Sequence, residues 1–306
     1  MRVAFVGQST FFEACALEPG ATRGLEPSFV EFRKDADPGR LRDALERRRP
    51  DVIVVFRPEV IPAGLLDDLP ARTLGVLTEP LPRDRAGVRD EDLSRRLWEL
   101  GQVDPGGFDR VVTFDPFIAR TADAVLPVWR SVPLPVSDRF FVAPERIGSR
   151  TEGQPLFVGR STPHREHVLR EVKHHYDLLH LAFGVDAAML EQLMGEHEIA
   201  INVHNQPYLS FENRVCLHLA AGHLVLSEPL SPLHGLEPGV DFLEIVDASH
   251  LAHLLWTLRR TPGMWHGVRV RGRRKAEQFR ASRVWPRVIA DLLADVAAFG
   301  PRPVHS

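Results

Sequence analysis

The stretch Leu156-Phe-Val-Gly-Arg-Ser-Thr-Pro163 decides the fold class, because it passes from a strand pattern to a helix start. Its apolar run ends at Gly159 and a short polar loop follows. Thr162 and Pro163 are then typical of a helix N-cap and a first helical position. Apolar strands alternate with helical stretches before and after this segment, which is typical of parallel sheets with crossover helices. The sequence therefore predicts an α/β protein.

The second half of the chain continues the rhythm of strand and helix. Strands are expected at 156–159, 178–181, 199–203, 224–226 and 242–246. Helices are expected from Pro163, from Asp186, over 211–221 with Ser210 as N-cap, over 249–260, and over 265–299 with a break near Pro286.

The first half has the same organisation. Its strands are expected at 3–6, 28–32, 52–56, 74–77, 111–114 and 128–132, and its helices at 39–48, 65–69, 91–100 and 117–124. We expect two Rossmann-like doubly wound lobes facing a cleft, with ligands at the carboxyl ends of the strands. The predicted domains are 1–135, 154–285, and a C-terminal helix over 286–306 that can cross back to the first lobe.

Composition narrows the classes of function. The formal net charge is -3 with both signs mixed along the chain, so there is no basic face for nucleic acid. Only two cysteines are present, which fits a reducing compartment. No apolar run is long enough for a signal peptide or a membrane span, and we expect a cytoplasmic protein.

Three polar stretches follow predicted strands of the second half. In the first, Gly159 lets a ligand approach the backbone, and Arg160 and Arg165 can bond a diphosphate at the helix start. The alternative is a plain strand–helix turn with surface arginines. In the third stretch, Glu228 can line the same pocket, although an ordinary surface loop has the same pattern.

The second polar stretch runs from Ile199 to Gly222. It contains His204 and Asn205 after a buried strand, and Glu212, Asn213 and Arg214 in the expected first turn of a helix. A carboxylate at that position is favoured by the helix dipole alone. Glu212 can instead accept hydrogen bonds from ribose or sugar hydroxyls.

Together these stretches resemble the C-terminal lobe of GT-B glycosyltransferases, especially the bacterial spore-maturation-type family. The resemblance covers residues 155 to 285 and is carried by Phe157-Val-Gly-Arg160, Glu212-Asn-Arg-Val215 with Leu219-Ala-Ala-Gly222, and His234-Gly-Leu-Glu-Pro-Gly239. It implies transfer of a sugar from a nucleoside diphosphate sugar to an unidentified acceptor, without a cofactor or a metal ion.

One departure from this family concerns two glutamates of many retaining members, which would fall at Leu209 and Leu217 here. A non-catalytic relative that binds a nucleotide or glycan therefore remains an alternative, and an epimerase or phosphorylase on the same fold is a further one. If the reaction inverts the anomeric centre, Glu79 and Asp115 are candidates for the general base. A pre-proline turn and a helix N-cap are the alternative roles of these two residues.

The histidines of the first helix of the second half, including His164, are expected to be solvated rather than metal ligands, because no cysteine or carboxylate completes a zinc set.

Overall fold

The computed structural model of the chain describes residues 1–82, 91–182 and 185–301. These form two compact units. The first unit comprises the described residues of 1–138 together with 281–301, and the second comprises those of 139–280. The last helix thus belongs to the same unit as the amino-terminal residues.

The first unit contains a parallel sheet whose strands lie in the order β2-β1-β3-β4-β5-β6. The strands are β1 (Arg2–Gly7), β2 (Glu26–Glu31), β3 (Val52–Phe56), β4 (Arg72–Leu77), β5 (Arg110–Thr113) and β6 (Arg130–Ser131). Its helices are α1 (Ser9–Phe12), α2 (Pro38–Arg48), α3 (Glu91–Leu100), α4 (Ala119–Asp123) and, from the end of the chain, α10 (Ala281–Phe299).

Helices cover both faces of this first sheet. Ile53 and Val55 of β3 lie in one apolar cluster with Leu41 and Leu45 of α2. The alternate side chains point to the other face, where Phe56 packs against Trp285 of α10 with ring centroids 6.0 Å apart. Burial on both faces explains why β3 is a continuous apolar run instead of an alternating one.

The second unit contains a parallel sheet in the order β11-β10-β9-β7-β8. Its strands are β7 (Leu156–Val158), β8 (Leu179–Leu181), β9 (Ile199–Asn202), β10 (Leu224–Ser227) and β11 (Leu243–Glu244). Its helices are α5 (Pro163–His175), α6 (Ala187–Glu196), α7 (Arg214–Ala220), α8 (Ala248–Arg260) and α9 (His266–Lys275). Apolar side chains of α5 and α8 share one cluster with Phe157, Ile201 and Leu226 of the strands.

Short 3-10 helices connect several of these elements. They lie at Glu13–Cys15, Pro58–Val60, Pro105–Gly107, Asp138–Phe140, Pro144–Arg146 and Ala276–Phe279. None of the helices in the described ranges is both long enough and apolar enough to cross a membrane.

Two of the helices expected in the first half differ from the structure. The helix expected at 65–69 is wrong, because this segment forms successive turns. The segment is held by hydrogen bonds between residues three positions apart, such as that from Leu65 N to Pro62 O at 3.2 Å. Gly64, directly before the segment, has a φ of +76° and lies in the first of these turns, outside the right-handed helical region. The helix expected at 117–124 is shorter and spans Ala119–Asp123.

The break expected near Pro286 is also misplaced. The long C-terminal segment is interrupted at Arg280, whose backbone is extended, and Pro286 lies inside α10. A proline in a helix leaves the carbonyl four residues earlier without its usual donor. Here that carbonyl belongs to Ser282, and it accepts a hydrogen bond from the Thr22 hydroxyl at 3.4 Å. Residues 302–306 of the helix expected over 286–306 lie outside the described residues.

The start of α7 also differs from the prediction. Ser210 was expected as its N-cap, but the helix begins at Arg214 with Asn213 in the N-cap position, and Asn213 makes no capping bond. The Ser210 hydroxyl instead lies 2.9 Å from Nδ1 of His204. Glu212 and Asn213 therefore precede the helix and belong to the loop before it.

Candidate functional site

Three neighbouring strands of the second unit end at one edge of the sheet and place polar residues there. β7 is followed by Gly159 and Arg160, β9 by His204 and Asn205 after one buried valine, and β10 by Glu228. Since β10, β9 and β7 lie side by side in parallel, these residues come together. The carboxyl edge of a parallel sheet is where ligands bind in open α/β folds.

The start of α5 lies at the same edge. As predicted, Thr162 caps this helix by accepting a hydrogen bond from the Arg165 backbone N–H at 3.3 Å, and Pro163 is the first helical residue. The Thr162 hydroxyl also lies 3.0 Å from the carbonyl oxygen of Asn205, to which it donates. The cap therefore ties the start of α5 to the loop after β9.

Two guanidinium groups lie next to each other at this edge. Those of Arg165 and Arg214 are 5.4 and 5.5 Å from the centre of the same buried ring, that of Phe157. Both donate to the carbonyl oxygen of Val203, at 3.0 and 3.4 Å. Arg165 also donates to the carbonyl oxygen of Arg160 at 3.0 Å. The backbone around β7 and β9 thus fixes both side chains.

Gly159 provides the space that the two guanidinium groups occupy. A Cβ atom at this position would lie 3.0 Å from Nη1 of Arg214 and 3.2 Å from Nη1 of Arg165. The φ of Gly159 is +156°, a value that residues with a side chain rarely adopt. The glycine is therefore required both by the backbone and by its two neighbours.

Glu212 pairs with both arginines. Its Oε2 accepts from Nη2 of Arg214 at 2.7 Å, and its Oε1 accepts from Nη2 of Arg165 at 3.4 Å and from the Asn205 backbone N–H at 3.1 Å. Burial alone would raise the pKa of the Glu212 carboxyl, but Arg214 and Arg165 outweigh it and the pKa lies below its ordinary value. Glu212 is therefore ionised at neutral pH.

The charge of Arg165 is affected in the opposite direction. Burial, together with repulsion from Arg214, lowers the pKa of the Arg165 guanidinium to about 9. Glu212 opposes this change. At neutral pH the group still carries its positive charge, so two cations and one anion are held together.

Arg160 adds a third, exposed guanidinium. Its Nε donates to Oδ1 of Asn205 at 3.1 Å. Asn205 thereby joins Arg160, Thr162 and Glu212 through its side chain, its carbonyl oxygen and its N–H. We call Arg160, Arg165, Arg214 and Glu212 the arginine cluster.

His204 and Glu228 form a second group beside the arginine cluster. Oε2 of Glu228 accepts the backbone N–H of His204 at 2.6 Å, and its Oε1 lies 2.9 Å from Nε2 of His164. Nε2 of His204 faces the carbonyl oxygen of Pro229 at 2.8 Å, so it carries the ring proton. Its Nδ1 is then an acceptor for the Ser210 hydroxyl.

The structure thus brings together nearly all the expected donor-site residues, namely Gly159, Arg160, Arg165, His204, Asn205, Glu212, Arg214 and Glu228. Asn213 follows Glu212 at the start of α7. Sequence reasoning missed His164, which was expected to be solvated but pairs with Glu228. Its position directly after Pro163, in the first turn of α5, was the available signal.

The two expected base candidates belong to the first unit. Glu79 follows β4, and its Oε2 is 2.7 Å from Nη1 of Arg96. Asp115 follows β5, is 2% exposed, and accepts the Phe117 backbone N–H at 2.9 Å. Within the described ranges, no group of three or more histidine, cysteine, aspartate or glutamate residues is arranged to hold a metal ion.

Comparison with known proteins gives a result only at the level of structure. No family model matches the chain, and no curated protein matches its sequence. HepE from Anabaena in complex with UDP and glucose is similar with a TM-score of 0.61 and 11% identity, covering 96% of this chain and 100% of that one. Sucrose-phosphate synthase from Thermosynechococcus elongatus has a TM-score of 0.60 and 12% identity, covering 97% and 99%.

A third similar structure is AviGT4, a glycosyltransferase involved in avilamycin A biosynthesis, with a TM-score of 0.55 and 13% identity over 97% of this chain and 98% of that one. The two parallel sheets with flanking helices are the fold of GT-B glycosyltransferases. This confirms the expected fold class.

Proposed function

We propose that this protein is a glycosyltransferase that moves a sugar from a nucleoside diphosphate sugar to an acceptor, with the donor bound by the second unit. The arginine cluster carries the proposal. Three guanidinium groups meet the start of α5 at the carboxyl edge of a parallel sheet, and Glu212 is the carboxylate that pairs with two of them. The cluster therefore has a surplus of positive charge, which suits a diphosphate.

The chemistry of transfer gives this surplus a role. When the sugar leaves, negative charge develops on the departing nucleoside diphosphate. Fixed cations and the positive end of the α5 helix dipole stabilise that charge without having to reorganise. Arginine can thus supply the charge that a metal ion supplies elsewhere, and we propose that transfer is metal-independent. HepE, crystallised with UDP-glucose, suggests the donor class.

The proposal also extends to the family, the cellular compartment and the general base. The motifs around Gly159, Arg214 and His234 favour the spore-maturation-type family of bacteria. Both cysteines are buried and neither forms a disulfide bond, which suits the reducing cytoplasm. If the reaction inverts the anomeric centre, Glu79 is the preferred base over Asp115, because its side chain is 37% exposed while Asp115 is buried.

One observation favours a second candidate, a non-catalytic relative that binds a nucleotide or a glycan. Leu209 and Leu217 occupy the positions at which many retaining members have glutamates. Leu217 is buried in α7, and Leu209 is 47% exposed. Neither side chain can hydrogen-bond a sugar or ribose hydroxyl.

The test measures thermal stabilisation and nucleoside diphosphate release with a panel of nucleotide sugars. We expect one donor to stabilise the protein and to release its diphosphate, and we expect both effects to be lost in Glu212→Ala and Arg214→Ala. Arg170→Ala, which removes an exposed arginine of α5, is the control and should behave as the wild type. Binding without release, even with acceptors present, would favour the non-catalytic candidate.

A further inference from the structure

Every oxygen of the Glu212 carboxylate is already engaged within the protein. Oε2 accepts from Arg214, while Oε1 accepts from Arg165 and from the backbone N–H of Asn205. The side chain is 15% exposed. A sugar or ribose hydroxyl that approached Glu212 would have to compete with two guanidinium groups and a main-chain donor.

The donors that remain open belong to the arginines. Arg214 is 14% exposed at its side chain, whereas Arg165 is 3% exposed. Among the described residues, Nε of Arg214 makes no hydrogen bond, and Arg160 is exposed with its Nε bonded to Asn205. Arg214 and Arg160 therefore present unbonded N–H groups to a ligand, whereas both oxygens of Glu212 already accept hydrogen bonds within the protein.

We propose that Glu212 is a positioning residue, which holds Arg165 and Arg214 side by side across Gly159 so that Arg214 can bind the diphosphate. Glu212 itself does not contact the nucleotide. This inference specifies how the proposed donor site works, and in that sense it rests on the proposed function.

Electrostatics explains why the two arginines need this carboxylate. Two like charges above one aromatic ring repel each other, most strongly where burial lowers the effective dielectric constant. An ionised carboxylate between them offsets this repulsion and fixes the direction of Arg214 through a 2.7 Å bond. Without it, Arg214 would keep only its 3.4 Å bond to Val203, and Arg165 its bonds to backbone carbonyls.

The experiment compares the affinities of pyrophosphate, UDP and uridine for the wild type and Glu212→Gln by calorimetry. If Glu212 acts through the arginines, pyrophosphate and UDP should weaken by the same factor, about tenfold for one charge-assisted hydrogen bond, and uridine should be unaffected. A loss for UDP and uridine without a loss for pyrophosphate would mean that Glu212 contacts the ribose, and it would overturn the inference. Unchanged or tighter pyrophosphate binding would overturn it as well.

A double variant tests whether Glu212 acts through Arg214. The loss in Glu212→Gln with Arg214→Ala should be smaller than the sum of the two single losses, since both changes remove the same contact. Additive losses would contradict the proposal. Glu212→Asp retains the charge but is one methylene shorter, so we expect pyrophosphate affinity between those of wild type and Glu212→Gln.

The control removes a carboxylate from another buried arginine of the second unit. Glu198 pairs with Arg269 at 3.2 Å and precedes β9, at the opposite edge of the sheet. Glu198→Gln should leave pyrophosphate affinity unchanged. Wild-type protein that binds neither pyrophosphate nor UDP would overturn this inference together with the proposed function. Binding of pyrophosphate without turnover of any nucleotide sugar would overturn only the function.

Discussion

At the scale of single residues, Gly159 shows how the backbone makes room for chemistry. The strand β7 ends one residue earlier, and the absence of a side chain lets two guanidinium groups lie over the main chain. Because both Nη1 atoms are close to the missing Cβ, a single methyl group would meet the two cations at once. The same position would otherwise be an ordinary strand–helix turn.

We predict that Gly159→Ala lowers the affinity for pyrophosphate about tenfold, because the new methyl group displaces Arg165 and Arg214 from their shared carboxylate. Titration calorimetry measures this. The control is Gly153→Ala in the same unit, where φ is +92° and nothing lies within 4 Å of the new Cβ atom. In Gly153→Ala the only cost is the backbone strain of a side chain at positive φ, about 1 kcal/mol. Its affinity for pyrophosphate should not change. Equal affinities in both variants would contradict the steric argument.

At the scale of elements, the cap of α5 connects helix stability with the site. Thr162 accepts from the helix and donates to Asn205, which in turn bonds Arg160 and Glu212. A side chain with these two bonds couples the first turn of the helix to the arginine cluster.

We predict that Thr162→Ala lowers the free energy of unfolding by about 1 kcal/mol and also weakens pyrophosphate binding, because Asn205 loses one of its ties. Urea unfolding and calorimetry measure the two effects. Thr162→Ser keeps both hydrogen bonds and should retain both properties. A stability loss with full affinity in Thr162→Ala would show that the cap does not position the cluster.

A buried pair of histidines lies near the end of helix α7, which starts with Arg214. His218 belongs to the helix and His223 follows it. Nε2 of His223 faces the carbonyl oxygen of Met194 at 2.8 Å, so it carries the proton and Nδ1 accepts from Nδ1 of His218 at 3.1 Å. Burial lowers the pKa of both imidazoles, and for His223 the value falls to about 4. The neighbouring His223 lowers the pKa of His218 further. Both rings are therefore neutral in the folded protein at neutral pH.

These lowered pKa values predict acid sensitivity. In the unfolded chain the histidines titrate near 6.5, so below that pH the unfolded state binds protons that the folded state does not. Stability should then fall as pH decreases from 6.5 toward 4, and His223 alone contributes about 2 kcal/mol of this loss at pH 5. Urea unfolding at pH 7.5 and 5 measures the loss. The loss of stability between these two pH values should be smaller in His223→Gln than in the wild type. In the control His253→Gln, which changes an exposed histidine, the loss should equal that of the wild type. Equal losses in all three proteins would refute the argument.

At the scale of the whole molecule, the last helix of the chain, α10, is part of the first unit. Trp285 of α10 is buried, packs against Phe5 with ring centroids 5.1 Å apart, and donates from Nε1 to the carbonyl oxygen of Cys15 at 2.8 Å. Ion pairs of Arg110 with Asp295 at 2.5 Å and of Arg130 with Asp291 at 2.7 Å continue this contact. The first unit therefore requires residues from both ends of the sequence.

We predict that Trp285→Ala lowers the free energy of unfolding by about 3–5 kcal/mol, the usual cost of a large cavity, while pyrophosphate affinity is retained. The reason is that every residue of the arginine cluster belongs to the second unit. Circular dichroism with urea and calorimetry test the two parts. Phe299→Ala removes an exposed ring of the same helix and should change neither quantity. Loss of pyrophosphate binding in a folded Trp285→Ala protein would be contrary to this division.

Much of the fold could be predicted from local patterns. Strand β3 and helix α3 have the expected bounds. The apolar run of β3 and the helical periodicity of α3 each continue without interruption over the whole element. The segment 65–69 was misjudged because its leucines fit a helix, whereas its backbone forms successive turns that include Gly64. The break of the last helix was misplaced because Pro286 is accommodated by Thr22, a residue more than two hundred positions away.

The sequence by itself determined the order of strands and helices, the cap at Thr162 and the polar residues that follow β7, β9 and β10, because these depend on neighbours along the chain. Only the tertiary structure decided which partners those residues have. Glu212 looked like an acceptor for ligand hydroxyls, but the parallel pairing of β7 and β9 places Arg165 beside it, and Arg214 reaches it from α7. Which partner satisfies a buried charge depends on distances between segments, and no spacing along the chain encodes them.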